Sequence, residues 1–176
     1  RNGGARIGVI MKGAPYYAEV KVPMTYTFNE PSSTNGGIHQ LYSGMLDSIT
    51  GMSGSYVRLS SGQWVGMSDV NIYKPDFKIE PAIRNMEYKT GDVWHTLKLD
   101  TLLSPAAFAE FDGTSIKLTV SAPSGASAPL LPPDSLISSV GISKDSNSGT
   151  QIMLTLKPGE TLGGYYIEKT GTGLEL

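Results

Sequence analysis

Residues 77–176 carry one short β-type unit twice. The first copy reads Ile83-Arg84-Asn85-Met86, then Leu97-Lys98-Leu99, then Gly113-Thr114-Ser115-Ile116-Lys117-Leu118. The second reads Ile137-Ser138-Ser139-Val140, then Leu154-Thr155-Leu156, then Gly171-Thr172-Gly173-Leu174-Glu175-Leu176. The spacing of the last match also sets Phe108 on Tyr166 and Glu110 on Glu168. A unit this short cannot bury its apolar face alone, so the repeat predicts two related halves, 83–120 and 137–176, that close on each other. Such a chain is built for shape before chemistry.

Composition narrows the class further. Hydrophobic content of 39% and charge of 17% describe a folded globule, and 21 Gly with 11 Pro suit many short strands joined by tight turns. A net charge of −2 with no Lys/Arg run gives no electrostatic footing for nucleic acid. No apolar stretch approaches the roughly 18 residues of a membrane span. Cysteine is absent, which removes disulfides, thiolate metal sites and a cysteine nucleophile.

Ahead of the repeat, Val20, Val22, Met24, Tyr26 and Phe28 alternate with polar residues, the period-two mark of a half-buried strand. Pro23 cannot donate to a ladder and is expected at an edge or bulge. Asn29–Gly37 reads as a loop, with short strands around Leu41 and Leu46–Ile49. Ser55–Leu59 and Gln63–Met67, split by Ser60-Ser61-Gly62, predict a hairpin. Lys74-Pro75-Asp76 marks a boundary, giving domains at 1–74 and 77–176. Beyond it strands are predicted at Phe77–Ile79, Ile83–Met86, Val93–Leu99 and Ser115–Val120, then at Ile137–Ile142, Ile152–Leu156, Tyr165–Glu168 and Gly173–Leu176. Ser104–Glu110, with Pro105 at a first helical position, predicts a short helix. The proline-rich stretch Ser121–Ser135 reads as an extended connector between the halves.

Two resemblances enter on these residues. Leu41-Tyr42-Ser43-Gly44-Met45-Leu46 followed by Tyr56–Leu59, Ser60-Ser61-Gly62 and Gln63-Trp64-Val65 resembles the second half of a bacterial SH3-like barrel; Ala5–Ala18 exceeds what that family needs. Residues 77–176 resemble the AMIN domain that precedes the catalytic domain of many bacterial N-acetylmuramoyl-L-alanine amidases, on the repeat, on Asp112–Leu118 and on Gly164-Tyr165-Tyr166-Ile167-Glu168. Together they imply an all-β chain: a small SH3-like barrel followed by an AMIN-like β-sandwich built from two related halves. They also imply an extracytoplasmic location, peptidoglycan as partner, and a zinc-dependent catalytic domain following Leu176.

The residues themselves offer no catalytic set, no metal ligands and no cofactor motif. His39 and His95 fall in different predicted domains, where an ordinary loop histidine and an ordinary strand histidine account for them. No nucleophile elbow or phosphate loop exists. Glu110 and Asp112 are neighbours, as acids at the exit of a short helix often are. Aromatic side chains are the better candidates, since an exposed ring offers a flat apolar surface with a polar tip. Tyr26, Tyr42, Tyr56 and Trp64 fall in the first domain. Trp94 is predicted to point outward if Val93 and Leu97 point inward, and Tyr165 and Tyr166 to face opposite ways on one strand. The expected role is non-catalytic binding and targeting to peptidoglycan; the competing expectation is a structural or protein-interaction module that docks a partner or its own catalytic domain.

Overall fold

A computed structural model describes residues 7–8, 16–75, 81–147, 149–170 and 173–176. The architecture is all-β, with several antiparallel sheets and, among the described residues, no helix beyond one 3-10 turn. The chain forms two compact units, Arg1–Glu80 and Pro81–Leu176. The predicted strand Phe77–Ile79, most of Ala5–Ala18 and the pair Gly171-Thr172 lie outside the described residues.

In the first unit the strands are β1 (Ile7–Gly8), β2 (Tyr17–Val20), β3 (Met24–Tyr26), β4 (Gln40–Tyr42), β5 (Leu46–Ser53), β6 (Tyr56–Leu59), β7 (Trp64–Gly66) and β8 (Val70–Tyr73). The main sheet runs β7-β6-β5-β2-β8, with β1 also on β5, while β3 and β4 pair separately. Just past β3, Phe28 exchanges two backbone hydrogen bonds of 2.8 Å with Trp64, which ties the β3–β4 ribbon to the free edge of β7. The β6–β7 hairpin turns at Gly62, whose φ of 85° is left-handed backbone that glycine adopts without steric cost. Val20, Leu41, Met45, Leu46, Val57 and Val65 fill the core.

The run Val20–Phe28 is not one strand. Val20 is buried, but the chain bends at Val22-Pro23, where the proline has no N–H to give a ladder. The bend shifts the phase by one residue. Beyond it Thr25 and Thr27 point inward, and Met24 and Tyr26 stand 39% and 44% exposed. The buried hydroxyls are satisfied: Thr25 donates to Asp69 Oδ2 at 2.6 Å and Thr27 to Gln63 Oε1 at 2.7 Å.

The second unit holds β9 (Ile83–Lys89), β10 (Thr96–Thr101), β11 (Ala107–Phe111), β12 (Ser115–Val120), β13 (Ile137–Lys144), β14 (Thr150–Leu156), β15 (Glu168–Thr170) and β16 (Gly173–Glu175). One sheet runs β9-β10-β16-β15 and the other β13-β14-β12-β11. Advancing each label of the first sheet by four, and returning past β16 to β9, produces the second. Each sheet therefore takes two strands from each sequence copy. Alternate residues turn inward, as in Leu97, Leu99 and Thr101 on β10 and Ile152, Leu154 and Leu156 on β14.

Register fixes which residues correspond. Met86 faces Leu99, which faces Leu174 across its other side; Val140 faces Leu154, which faces Ile116. The structural counterpart of Leu97–Leu99 is thus Ile152–Leu154, two residues earlier than the sequence match to Leu154–Leu156. The match of Glu110 with Glu168 holds in register, since they face Lys117 and Glu175 at equivalent rungs.

The predicted helix over Ser104–Glu110 is instead β11. Ala107 to Phe111 pair rung by rung with Val120 to Ile116. Alanine's helix preference is a weak prior. Here the backbone groups of β12 take a partner strand on that side, and the small Ala106 and Ala107 side chains fit, 5% and 0% exposed.

Candidate functional site

On the first unit, alternation decides which side chains reach solvent. In the β3–β4 ladder Met24 opposes Tyr42 and Tyr26 opposes Gln40, so these four share the outer face while Thr25 and Leu41 point inward. Gln40 joins the two phenols: Tyr42 Oη donates to Gln40 Oε1 at 3.0 Å, and Gln40 Nε2 donates to Tyr26 Oη at 3.2 Å. The Tyr26 ring lies against Gly37, where an added Cβ would sit 2.6 Å from Tyr26 Cγ. Two residues along β3, Phe28 faces the same way and meets Tyr56 edge to face, with centroids 5.9 Å apart and planes at 87°. In β6–β7 the buried residues are Val57 and Val65, which turns Tyr56, Arg58 and Trp64 outward. Tyr26, Tyr42, Tyr56 and Trp64 are thereby brought onto one outward face through the Phe28–Trp64 pairing. Phe28 belongs with them and was marked in the sequence only by its two-residue spacing from Tyr26.

His39 sits behind this face. Its Nδ1 accepts from Gln63 Nε2 at 2.7 Å, and Gln63 in turn accepts from buried Thr27. The His39–Gln63–Thr27 chain braces the ribbon against the β6–β7 turn.

In the second unit a cavity of about 80 Å³ opens between the two sheets. Leu97, Ile116, Leu154 and Leu156 form its apolar wall. Trp94 and Tyr166 stand at its rim, 57% and 52% exposed, in edge-to-face contact at 5.3 Å and 85°. Tyr88 and His95 supply the polar lining and share a hydrogen bond, Oη to Nδ1, of 2.9 Å. Burial pushes the Tyr88 phenol above its ordinary value, against the opposing pull of hydrogen bonds from Ser135 and the Leu136 backbone, so it stays protonated. Nearby, the Thr90 hydroxyl donates to Asp134 at 2.7 Å and holds that carboxyl below its ordinary value, helped by His95 and Lys157.

Trp94 is not on a strand. The turn at Thr90-Gly91-Asp92 delays β10 until Thr96, so Val93 is 81% exposed rather than inward, and Trp94 projects from a loop. Tyr165 and Tyr166 likewise precede β15, and both are exposed; Tyr165 Oη donates to the Ala109 carbonyl at 3.0 Å and pins that segment.

The acids near Gly113 have structural employment. Glu110 pairs with Lys117 at 2.6 Å. Asp112 Oδ1 accepts from Thr114 N, Thr114 Oγ1 and Ser115 N at 2.9, 3.0 and 2.7 Å, which holds its carboxyl below the ordinary value. Among the described residues no three His, Asp or Glu side chains gather closely enough to hold a metal ion, and no helix is long and apolar enough to cross a membrane. In comparisons with known proteins, no family model, curated protein or solved structure matches the chain.

Proposed function

We propose that this chain is the non-catalytic, peptidoglycan-binding region of a bacterial N-acetylmuramoyl-L-alanine amidase, keeping a downstream catalytic domain on the cell wall outside the cytoplasmic membrane. The observation that carries the reading is the outward aromatic face of the first unit. Tyr26 and Tyr42 are tied through Gln40, Tyr56 meets Phe28 edge to face, and Trp64 lies on the rung opposite Phe28. Rings of this kind suit the alternating polar and apolar surface of glycan and peptide. The strand order around that face, with Phe28 just past β3 bridged to Trp64 of β7, supports an SH3-like barrel. The exchange of strand pairs between two equivalent four-stranded sheets supports an AMIN-like sandwich. Two weak contacts on one chain reinforce each other through their linkage.

Sedimentation with purified peptidoglycan sacculi tests the proposal. The chain is expected to co-sediment, and a Tyr26→Ala, Trp64→Ala double variant to stay in solution. Wild-type chain left in the supernatant at every salt concentration removes wall binding, and release of soluble wall fragments by this chain alone removes the non-catalytic assignment.

One feature favours the second reading, a module that docks a partner protein or its own catalytic domain. Strand β13 is an eight-residue sheet edge with no charge before Lys144, whereas its counterpart β9 carries Arg84, Glu87 and Lys89. An edge without charged residues accepts an added strand more readily.

A further inference from the structure

The duplication supplies its own control for function. Positions that the scaffold requires recur in both copies, as Leu97 and Leu99 do in Ile152 and Leu154. Positions that differ in kind are not demanded by the fold. By the same register Tyr88 corresponds to Ile142, while His95 and Trp94 precede β10 and lie outside the paired rungs. The groups around the 80 Å³ cavity come from both copies, Tyr88, Trp94 and His95 from the first and Tyr165 and Tyr166 from the second, and Tyr88 has only an aliphatic counterpart in Ile142. A tryptophan more than half exposed contributes little to folding, and its placement at the mouth of an apolar cavity calls for a ligand.

We infer that this cavity is a binding site for the acetamido group of an N-acetylated hexosamine within a glycan strand; the inference rests on the wall-binding reading and names the part of the wall that this unit takes. The cavity is small and walled by Leu97, Ile116, Leu154 and Leu156, which suits a methyl group. The hydrogen bond between Tyr88 Oη and His95 Nδ1 occupies that ring nitrogen, and in the Nε2–H tautomer Nε2 is the donor for the acetamide carbonyl. The exposed indole of Trp94 offers its surface to the apolar face of the pyranose ring.

The probes are tetra-N-acetylchitotetraose and cellotetraose, neutral oligosaccharides that differ at the C2 substituent. Titration is followed by the amide and indole N–H resonances of the labelled full chain. The expected result is saturable shifts at Trp94, His95 and Leu97 with the acetylated sugar, and binding of cellotetraose weaker by about tenfold or more. Trp94→Ala and, independently, Tyr166→Ala should abolish the shifts while resonances elsewhere in the unit stay in place. Equal binding of both sugars, shifts that survive in both variants, or no shifts at all overturns the inference. Sacculus sedimentation of wild type separates the two proposals. A chain that sediments but ignores the acetylated sugar keeps wall binding and loses this site; a chain that binds the sugar but not sacculi keeps the site and loses the wall assignment.

Discussion

Arg84 and Ser138 are the unpaired residues of the same β-bulge in two different sheets. On β9 the ladder passes from Asn85 opposite Asp100 to Ile83 opposite Thr101, skipping Arg84; on β13 it passes from Ser139 opposite Thr155 to Ile137 opposite Leu156, skipping Ser138. The side chains have nothing in common, so the bulge serves the backbone. In a regular strand Ile83 and Met86, three apart, would face opposite ways; the extra residue lets both turn inward, 1% and 5% exposed.

Deleting Arg84 should therefore be tolerated, as replacing it is. Deletion restores a regular ladder in which Ile83 and Met86, now two apart, both still face inward with Ile83 opposite Thr101, so the burial of Ile83 is kept. Arg84→Ala leaves the bulge and an exposed position, and is expected to stay within about 0.5 kcal/mol of wild type. Urea unfolding followed at Trp94 reads both. A deletion variant weaker by about 1.5–3 kcal/mol, the burial of one large aliphatic side chain, would mean that Ile83 does not keep its inward place without the bulge.

Close approach of β10 and β16 makes Gly173 irreplaceable. A Cβ there would fall inside the van der Waals radius of the Leu99 carbonyl oxygen and 3.1 Å from Thr101 N. Those are backbone atoms of a buried strand and cannot yield cheaply. Gly173→Ala is expected to separate β16 from β10 and to lower the stability of the second unit by about 1–3 kcal/mol or more. Gly141→Ala is the control, since its Cβ would meet only Met153 Cβ at an ordinary 3.8 Å. Hydrogen exchange at Lys98 and Leu174 should rise in the first variant and not in the second.

What was legible in the sequence follows from which interactions are local. The alternation at Thr114–Val120 and the Gly62 hairpin could be read because a period of two and a glycine turn are written in adjacent residues. The repeat could be read as well, but not its frame. Leu97-Lys98-Leu99 resembles Leu154-Thr155-Leu156 and Ile152-Met153-Leu154 alike, since a slip of two residues keeps every side chain on its face. Only the partner strand decides. The phase shift at Pro23, the strand at Ala107–Phe111 and the loop position of Trp94 are all set by where the neighbouring chain lies. Of the site, the four aromatics of the first unit were legible as types, and their common face became visible only with the Phe28–Trp64 pairing. The cavity beside Trp94 had no sequence signal, because its walls come from both sheets.

Gly37 positions Tyr26 and offers a probe of the aromatic face that removes no ring. A Cβ at residue 37 would press on Tyr26 Cβ and Cγ, both at 2.6 Å, and drive the ring from Gln40. Gly37→Ala is expected to shift the Tyr26 and Tyr42 ring resonances together, because Gln40 bridges them, and to weaken sacculus sedimentation. An unchanged Tyr42 signal would mean that Gln40 does not couple the two rings.

Asp112 gives the second unit an acid-side dependence of stability. Its folded pKa is depressed below the ordinary 3.8 by three hydrogen bonds to the carboxylate. Its stabilising contribution is then fully present above the unfolded value and is lost as pH falls through the lower, folded one. Asp112→Asn keeps an acceptor oxygen without the titration. Between about pH 4.5 and pH 2 the wild-type urea midpoint should fall more steeply than that of the variant. Parallel curves would mean that the turn hydrogen bonds do not favour the charged form.

Glu168 and Glu175 stand directly opposite each other on β15 and β16, and their counterparts on β11 and β12 are Glu110 and Lys117, an ion pair of 2.6 Å. One copy thus carries a favourable cross-strand pair where the other carries two like charges. Lys98, on the far side of Glu175, relieves the repulsion only in part, because it also faces Glu87. Glu168→Lys should recreate the sister pair with its polarity reversed and stabilise the second unit by about 0.2–1 kcal/mol. The gain should shrink in molar salt, as screening predicts for exposed charges. A gain that persists at high salt would point to packing instead. No gain at all would mean that the two carboxylates already splay apart at negligible cost.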